Sequence, residues 1–429
     1  MSGGAHHGEL FRNMAVLACG TVAAKLVGFL SIAVLTRLYS PEQFGLFSLF
    51  LSAIALASPF TTLRYAAALP LPRRDTAATQ LLAACLLILL ASCLALSALL
   101  AGFAQPVFQR LKAPELAALW PLLVLAIATA GAHEVFSTWA VREKRFTTLA
   151  QAELSQSLLG SGLKIGLAWV GSQRFGLMLG HVLAQLCACL CLVAAFSPTR
   201  RRLRSRLRLR RIGMAMRRHA SFPLLRMPSQ VLLVFSMQAP VLFISALHGT
   251  GTAGQLGLAL STLAVPIALI GQPMAQAYLA EIARIGARDA ARIRAISHQL
   301  VARLLVMGAL PTLVLVFGAP ALFAGVFGQR WQEAGQFAAA LAVYLLAWFV
   351  ANPLTHALSV FGRNDLFLRF NAVRAGMTVV VFMASHRLNL SALAAVQVYG
   401  ASMAIYYVLN TVAILRVMRP GAPAPSRST

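Results

Sequence analysis

Seven basic side chains stand where a basic side chain is expensive: Lys25, Arg64, Lys164, Arg226, Arg303, Arg369 and Arg374 all fall within long apolar runs. On an insertion scale each charge at the centre of a membrane helix costs about 2.5–3.5 kcal/mol. The seven together cost on the order of 10–20 kcal/mol, so most must face protein or a water-filled cavity rather than lipid. Arg226, Arg303 and Arg369 lie near the ends of their runs, where a long side chain can snorkel to water. Lys25, Lys164 and Arg374 lie deeper. The acids inside or beside the same runs are Glu134, Glu153 and Glu281, and the cations outnumber them. For any single cation the alternative is a structural ion pair, such as Lys25 with Glu134 or Glu153. The pairs cannot absorb all seven. A cavity with surplus positive charge complements an anion, and lysine and arginine are the side chains that hold phosphate oxygens. Depth ranks the candidate ligands for such an anion: Lys25 and Arg374, then Lys164, then Arg64 and Arg226, with Arg369 last. Arg303, close to the edge of its run, is left out.

The elements that must position these residues are membrane helices. With 59% hydrophobic and 11% charged residues over 429 positions, the chain is too apolar for a soluble protein. Crossing a bilayer as a helix takes roughly 20 apolar residues, and the runs are too long and too poorly alternating for strands. Twelve spans are expected: 13–35, 44–68, 76–101, 116–138, 147–170, 175–196, 222–247, 256–282, 296–317, 337–358, 366–385 and 390–414. This predicts an all-α polytopic membrane protein of two pseudo-symmetric six-helix lobes around a central cavity. Residues 1–12 form a tail, 13–196 the first lobe, 197–221 a linker, 222–414 the second lobe and 415–429 a second tail. Six crossings per half return the chain to its starting side, which relates the lobes by a pseudo-two-fold along the membrane normal. A short repeat agrees: Pro41–Leu49 follows the first span and Thr252–Leu258 follows the seventh.

Between the lobes, Arg200, Arg201, Arg202, Arg204, Arg206, Arg208, Arg210, Arg211, Arg217 and Arg218 form a charge run that must stay in water. By the positive-inside rule this run is cytoplasmic, as are both termini, and anionic membrane lipids are its expected partners. That topology places 24 of the 37 Lys and Arg inside, 7 within spans and 6 outside, namely Arg37, Arg110, Lys112, Arg174, Arg330 and Arg387. No aromatic residues interleave the arginines, so the basic balance does not point to nucleic acid.

The polar first residues and the absence of a small-residue cleavage site predict a retained first helix rather than a removable signal peptide. All six cysteines lie within apolar spans and read as small fillers, neither disulfides nor a metal site. No nucleotide-binding glycine loop, metal-ligand cluster or nucleophile–base constellation is present, so neither a cofactor nor enzymatic activity is expected. Pro223, Pro228 and Pro240 in the seventh span, and Pro266 and Pro273 in the eighth, predict bent helices.

Six stretches in order carry a family resemblance. Thr36–Phe47 (TRLYSPEQFGLF), Arg64-Tyr65 with Ala68–Pro72, Phe175–Gly180, Phe222-Pro223-Leu224, Leu263–Pro266 and Phe327–Gly335 (FGQRWQEAG) look like the matching segments of the bacterial polysaccharide-unit flippases. Those flippases belong to the multidrug/oligosaccharidyl-lipid/polysaccharide (MOP) exporter superfamily. Relatives often carry an acid after the Arg-Tyr pair, where this chain has Ala66 and Ala67, so a local partner for Arg64 is missing. The resemblance implies a transporter of the bacterial cytoplasmic membrane that moves a polyprenyl-pyrophosphate-linked oligosaccharide to the outer leaflet by alternating access. The pyrophosphate would sit among the cations, and other membrane proteins of polysaccharide assembly would be partners. An integral-membrane glycan ligase or polymerase is the alternative from another class, and such enzymes present a long outer loop that this chain lacks. A cation-coupled drug exporter of the same superfamily would need more buried carboxylates.

Overall fold

The computed structural model describes residues 3–72, 74–171, 175–196, 209–286 and 289–418, with side chains of the first helix described from Cys19 onward. Of the arginine run, the positions from Arg200 to Arg208 lie outside the described residues. The described elements are helical throughout: α1 (Gly3–Leu38), α2 (Pro41–Thr61), α3 (Asp75–Arg110), α4 (Trp120–Arg142), α5 (Phe146–Trp169), α6 (Gly176–Ala195), α7 (Leu209–Arg218), α8 (Met227–His248), α9 (Thr250–Pro266), α10 (Gln272–Ile285), α11 (Ala290–Phe327), α12 (Gln332–Val360), α13 (Asn364–Arg387) and α14 (Ala392–Val417). The chain divides into two compact units, one of residues up to Val234 with Gly249–Gly251, the other of Phe235–His248 with Thr252 onward.

Eleven helical stretches among the described residues are long and apolar enough to cross a membrane, with α9 and α10 counted as one. The expected fifth span, α5, has the length at 24 residues but carries Gln151, Glu153, Ser155, Gln156, Ser157 and Lys164. Three of these polar groups are turned onto neighbouring helices, while Ser155 bonds the Ala152 carbonyl of its own helix. Ser157 donates to the Ala24 carbonyl (2.6 Å), Glu153 accepts from Thr21 (2.6 Å), and Gln156 bonds Gln185. Hydrocarbon excludes polar groups that lack partners, so a helix this polar is tolerable where its neighbours satisfy it.

Several helices outrun their apolar windows. At 36 and 38 residues, α3 and α11 extend about 54 and 57 Å, well beyond a hydrocarbon core of about 30 Å. Hydropathy marks only the membrane-depth part of such a helix. The second span is shorter than expected. Instead of running to Ala68, α2 ends at Thr61, the backbone turns left-handed at Leu63 (φ 47°) and Arg64 (φ 62°), and Tyr65–Ala68 form a tight helical turn.

The proline-rich helices are interrupted in a common way. Five-residue π-turns occupy Phe222–Arg226 and Ile267–Gly271, and each ends one residue before an X-Pro step, Met227-Pro228 and Gln272-Pro273. A proline ring clashes with the carbonyl four residues back, and widening the turn relieves it.

In the first unit α1 packs along α5, α5 along α6, and α4 against α2, α3 and α6, while in the second α12 packs against α11 and α14. The family-like stretches are the joints of this packing. Ser40 and Gln43 close a capping box at the start of α2. Arg142 of α4 donates to the carbonyls of Leu69 (3.4 Å) and Pro72 (2.7 Å) and pairs with Asp75 (3.0 Å), holding the Ala68–Pro72 segment. In the second unit Gly328 (φ 104°) starts the turn that fully buries Trp331, and Gln255 bridges the Arg330 carbonyl (2.6 Å) and the Ala334 amide (3.0 Å). Gln43 and Gln255 belong to the two repeat segments but bond differently, one within its own helix start and the other to a distant loop.

Candidate functional site

Each of the six candidate cations has its own surroundings. Lys25 is half-buried on α1, one turn after Thr21, whose hydroxyl bonds Glu153. Residues four apart share a helix face, so Lys25 lies on the side of α1 that meets α5.

Arg64 does not lie within a membrane helix. It sits in the left-handed turn after α2, and its Nη1 meets Glu134 Oε1 of α4 at 3.0 Å. The partner absent from the local sequence thus comes from 70 residues away. Glu134 is thus engaged by Arg64, and Glu153, which accepts from Thr21, is the acid on the Thr21 face of α1.

Lys164 lies near the end of α5, with its ammonium 4.9 Å from the centre of the Phe47 ring. Phe47 in turn meets His181 edge-on at 5.8 Å. Among the described residues no carboxylate lies within 4 Å of Lys164. The position of its backbone is locked from two sides. Fully buried Tyr39 donates its hydroxyl to the Lys164 carbonyl at 2.6 Å. On α6 the pair Gly176 and Gly180, four residues apart, leaves open the face on which Lys164 rests. A Cβ at Gly180 would lie 2.7 Å from Lys164 Cγ, and one at Gly176 would strike the Tyr39 hydroxyl. Small residues at this spacing let membrane helices approach closely. The Thr36–Phe47 and Phe175–Gly180 segments therefore act together, and Lys164 is what they place.

Arg374 of α13 is buried, 6% exposed. Its Nε donates to Ser236 Oγ (2.7 Å) and its Nη1 to the Tyr407 hydroxyl (2.6 Å). Around it Tyr344 meets Tyr399 edge-on (5.9 Å) and Tyr407 at a tilt (5.8 Å), Tyr406 meets Tyr407 edge-on (4.9 Å), and Tyr406 donates to the Phe370 carbonyl (2.8 Å). Four of the chain's seven tyrosines thus gather at one arginine. Each tyrosine supplies an apolar body with a hydroxyl that can accept from a guanidinium, which makes the cluster a polar lining in an apolar setting.

Arg226 is exposed in the first π-turn, its guanidinium 4.7 Å above the Phe222 ring, and Arg369 and Arg303 are exposed on α13 and α11. Exposure leaves all three side chains free of the protein interior, as a snorkelling role requires. The six therefore divide into Arg64 and Arg226, borne on turns, Arg369, exposed on α13, and Lys25, Lys164 and Arg374, half-buried or buried on helices. Sequence reasoning missed Glu134 as the Arg64 partner, Arg142 as a clamp, and the tyrosines. The adjacent pair Tyr406-Tyr407 in an apolar run was the available signal for the last. Among the described residues no group of His, Cys, Asp and Glu could hold a metal ion.

A model described as polysaccharide biosynthesis protein matches residues 34–336. No curated protein matches the chain. Among solved structures, an inward-facing multidrug resistance MATE family transporter of the MOP superfamily is similar at 15% identity and a TM-score of 0.72, covering 95% of this chain and 98% of that one. The lipid II flippase MurJ in an inward closed conformation is similar at 10% identity and a TM-score of 0.73, covering 94% and 90%. A MOP superfamily transporter from Pyrococcus furiosus Vc1 (DSM3638) shares 15% identity with a TM-score of 0.62, covering 95% and 96%. At these identities the likeness establishes the fold. With the family model spanning well over half of the sequence on an all-helical fold shared with MOP-superfamily transporters, this chain is a multi-pass membrane protein that belongs to the polysaccharide biosynthesis protein family.

Proposed function

We propose that the protein is a flippase that moves a polyprenyl-pyrophosphate-linked oligosaccharide, the repeat unit of a surface polysaccharide, from the inner to the outer leaflet of the bacterial cytoplasmic membrane. Transport proceeds by alternating access, with both termini cytoplasmic and the helix-held cations meeting the pyrophosphate in turn. The observation that carries this reading is Lys164. An ammonium in a membrane helix faces an aromatic ring with no carboxylate within 4 Å among the described residues, while Glu134 is taken by Arg64. Positive charge kept in this way at a protein interior is complementary to phosphate oxygens. Outward movement of an anion is also downhill in a cell that is negative inside, by about 2.3 kcal/mol per charge per 100 mV. Membership of a polysaccharide biosynthesis family supports a glycan cargo, and the lipid II flippase among the fold neighbours supports a lipid-linked one.

A cation-coupled drug exporter fits less well. Such a protein needs interior carboxylates available to its substrate, whereas Glu134 pairs with Arg64 and Glu153 accepts from Thr21. A glycan ligase or polymerase fits less well because the described connections on the predicted outer side are short. The test is the lipid-linked glycan that accumulates in the cytoplasmic leaflet when the protein is removed, and its clearance by restored variants. Lys25→Ala, Lys164→Ala and Arg374→Ala are each expected to lose a charge-assisted contact of about 1.5–3 kcal/mol, cutting transport about tenfold or more while membrane insertion stays intact. Full transport by all three at normal abundance overturns the reading.

A further inference from the structure

The one described helix that is not membrane-length yet bears a dense charge is α7, and its two faces differ sharply. Ile212 is buried against Ala83 and Ala84 of α3, and Met216, four residues on, packs on the same side. The Met216 carbonyl accepts from the hydroxyl of buried Tyr65 at 3.2 Å, which fastens the helix to the turn that follows Arg64. The opposite face is exposed and carries Arg210, Arg211, Arg217 and Arg218. At 100° per residue these four flank Met214, which is 55% exposed. The two arginine pairs are seven residues apart, about 10 Å along the axis.

We infer that α7 is an interfacial helix whose outer face binds the headgroups of anionic lipids in the leaflet at its side of the membrane, with Met214 entering the headgroup boundary between the arginine pairs. Charge complementarity selects the partner. Four guanidiniums offer bidentate donors to phosphate, and an apolar side chain exposed at their centre is of use at a membrane surface but not to a free phosphate in water. Interfacial helices combine these features, a basic polar face and an apolar residue that can enter the acyl boundary. The fixed seat on α3 and Tyr65 distinguishes α7 from a loose basic tether, since its arginines are presented in one orientation. The inference does not depend on which substrate the protein transports.

The full chain, purified in neutral detergent, is titrated with phosphatidylglycerol and separately with phosphatidylcholine, with bound lipid counted by native mass spectrometry and unfolding followed by heating. Wild type is expected to retain phosphatidylglycerol and to gain several degrees in Tm from it, with little response to phosphatidylcholine. The variant R210Q/R211Q/R217Q/R218Q is expected to bind phosphatidylglycerol about tenfold more weakly or less. A second variant with the six arginines from Arg200 to Arg208 changed to glutamine separates the two basic segments and is expected to keep the Tm gain. A milder variant, Met214→Ser, leaves every charge and the α3 seat in place and is expected to weaken retention several-fold. Retention unchanged in both α7 variants, or a Tm gain that vanishes only with the Arg200–Arg208 changes, overturns the inference. So does displacement of the lipid by inorganic pyrophosphate at equal phosphate concentration, which would identify a free-phosphate site.

Discussion

At Arg64 one residue carries both a left-handed backbone and an ion pair, and the two contributions can be separated. A side chain in this region costs about 1 kcal/mol that glycine avoids. Arg64→Gly removes the pair with Glu134 and relieves the backbone, whereas Arg64→Ala removes the pair and keeps the strain. Thermal unfolding is expected to rank wild type above Arg64→Gly and Arg64→Gly above Arg64→Ala. A double-mutant cycle with Glu134→Gln should return about 1–2 kcal/mol of coupling, because the pair is partly shielded from water but not sealed. Lys25 calls for a different control. Lys25→Arg keeps charge and changes geometry, so it should retain part of the transport that Lys25→Ala loses. His219, beyond the end of α7, sits at 6.2 Å from Phe222, with burial first and Arg218 second holding its imidazole below its usual value. It is therefore neutral above about pH 7, where the arginines of α7 remain charged. Lipid retention by α7 is expected to be flat between about pH 7 and 9. A marked loss over that interval would implicate another group.

Among the elements, the α5–α6 contact is the most exacting. A methyl group at Gly180 would meet both the side chain and the backbone nitrogen of Lys164, 2.7 and 3.0 Å away, so Gly180→Ala must push the helices apart. Overpacking of this kind typically costs about 1–3 kcal/mol. Gly176→Ala meets the Tyr39 hydroxyl first and the Leu167 Cβ at 3.2 Å second, and Tyr39→Phe removes the hydroxyl together with its hydrogen bond to Lys164. The double variant Gly176→Ala/Tyr39→Phe is expected to recover part of the stability that Gly176→Ala loses, and no such rescue should exist for Gly180→Ala. Thermal unfolding of the four proteins checks both statements. The π-turns before Pro228 and Pro273 are a second element-scale feature. Each widens the helix where a transporter would bend, and Pro273→Ala should stiffen that segment and slow transport more than it alters stability.

Over the whole molecule, charge decides how the chain sits in its membrane. The arginines clustered between residues 200 and 218 resist translocation, so the proposed topology keeps that segment and both termini on the cytoplasmic side. A cysteine placed at Ser205 is expected to resist a membrane-impermeant thiol reagent in intact cells and to react after permeabilisation. Labelling in intact cells would reverse the orientation and with it the direction of the proposed transport. The same topology puts the exposed face of α7 against the cytoplasmic leaflet, whose anionic lipids are its inferred partners.

Composition alone determined the class of this protein, because 429 residues with 59% hydrophobic side chains and apolar runs of helical length have few folded solutions other than a helical membrane protein. Order of motifs then determined the family, since the six stretches fall at helix joints that the packing requires. Arg226, Arg303 and Arg369, which the sequence places near the ends of their runs, are exposed. What a linear chain cannot display is which distant group satisfies a buried charge. Glu134 meets Arg64 across 70 residues, Ser236 meets Arg374 across 138, and Tyr344 of α12 joins three tyrosines of α14. Hydropathy likewise cannot see that α5 hides its polar face on α1 and α6, nor that Arg64 terminates a span instead of lying within it. Those outcomes depend on pairing between helices, and only the tertiary structure decides them.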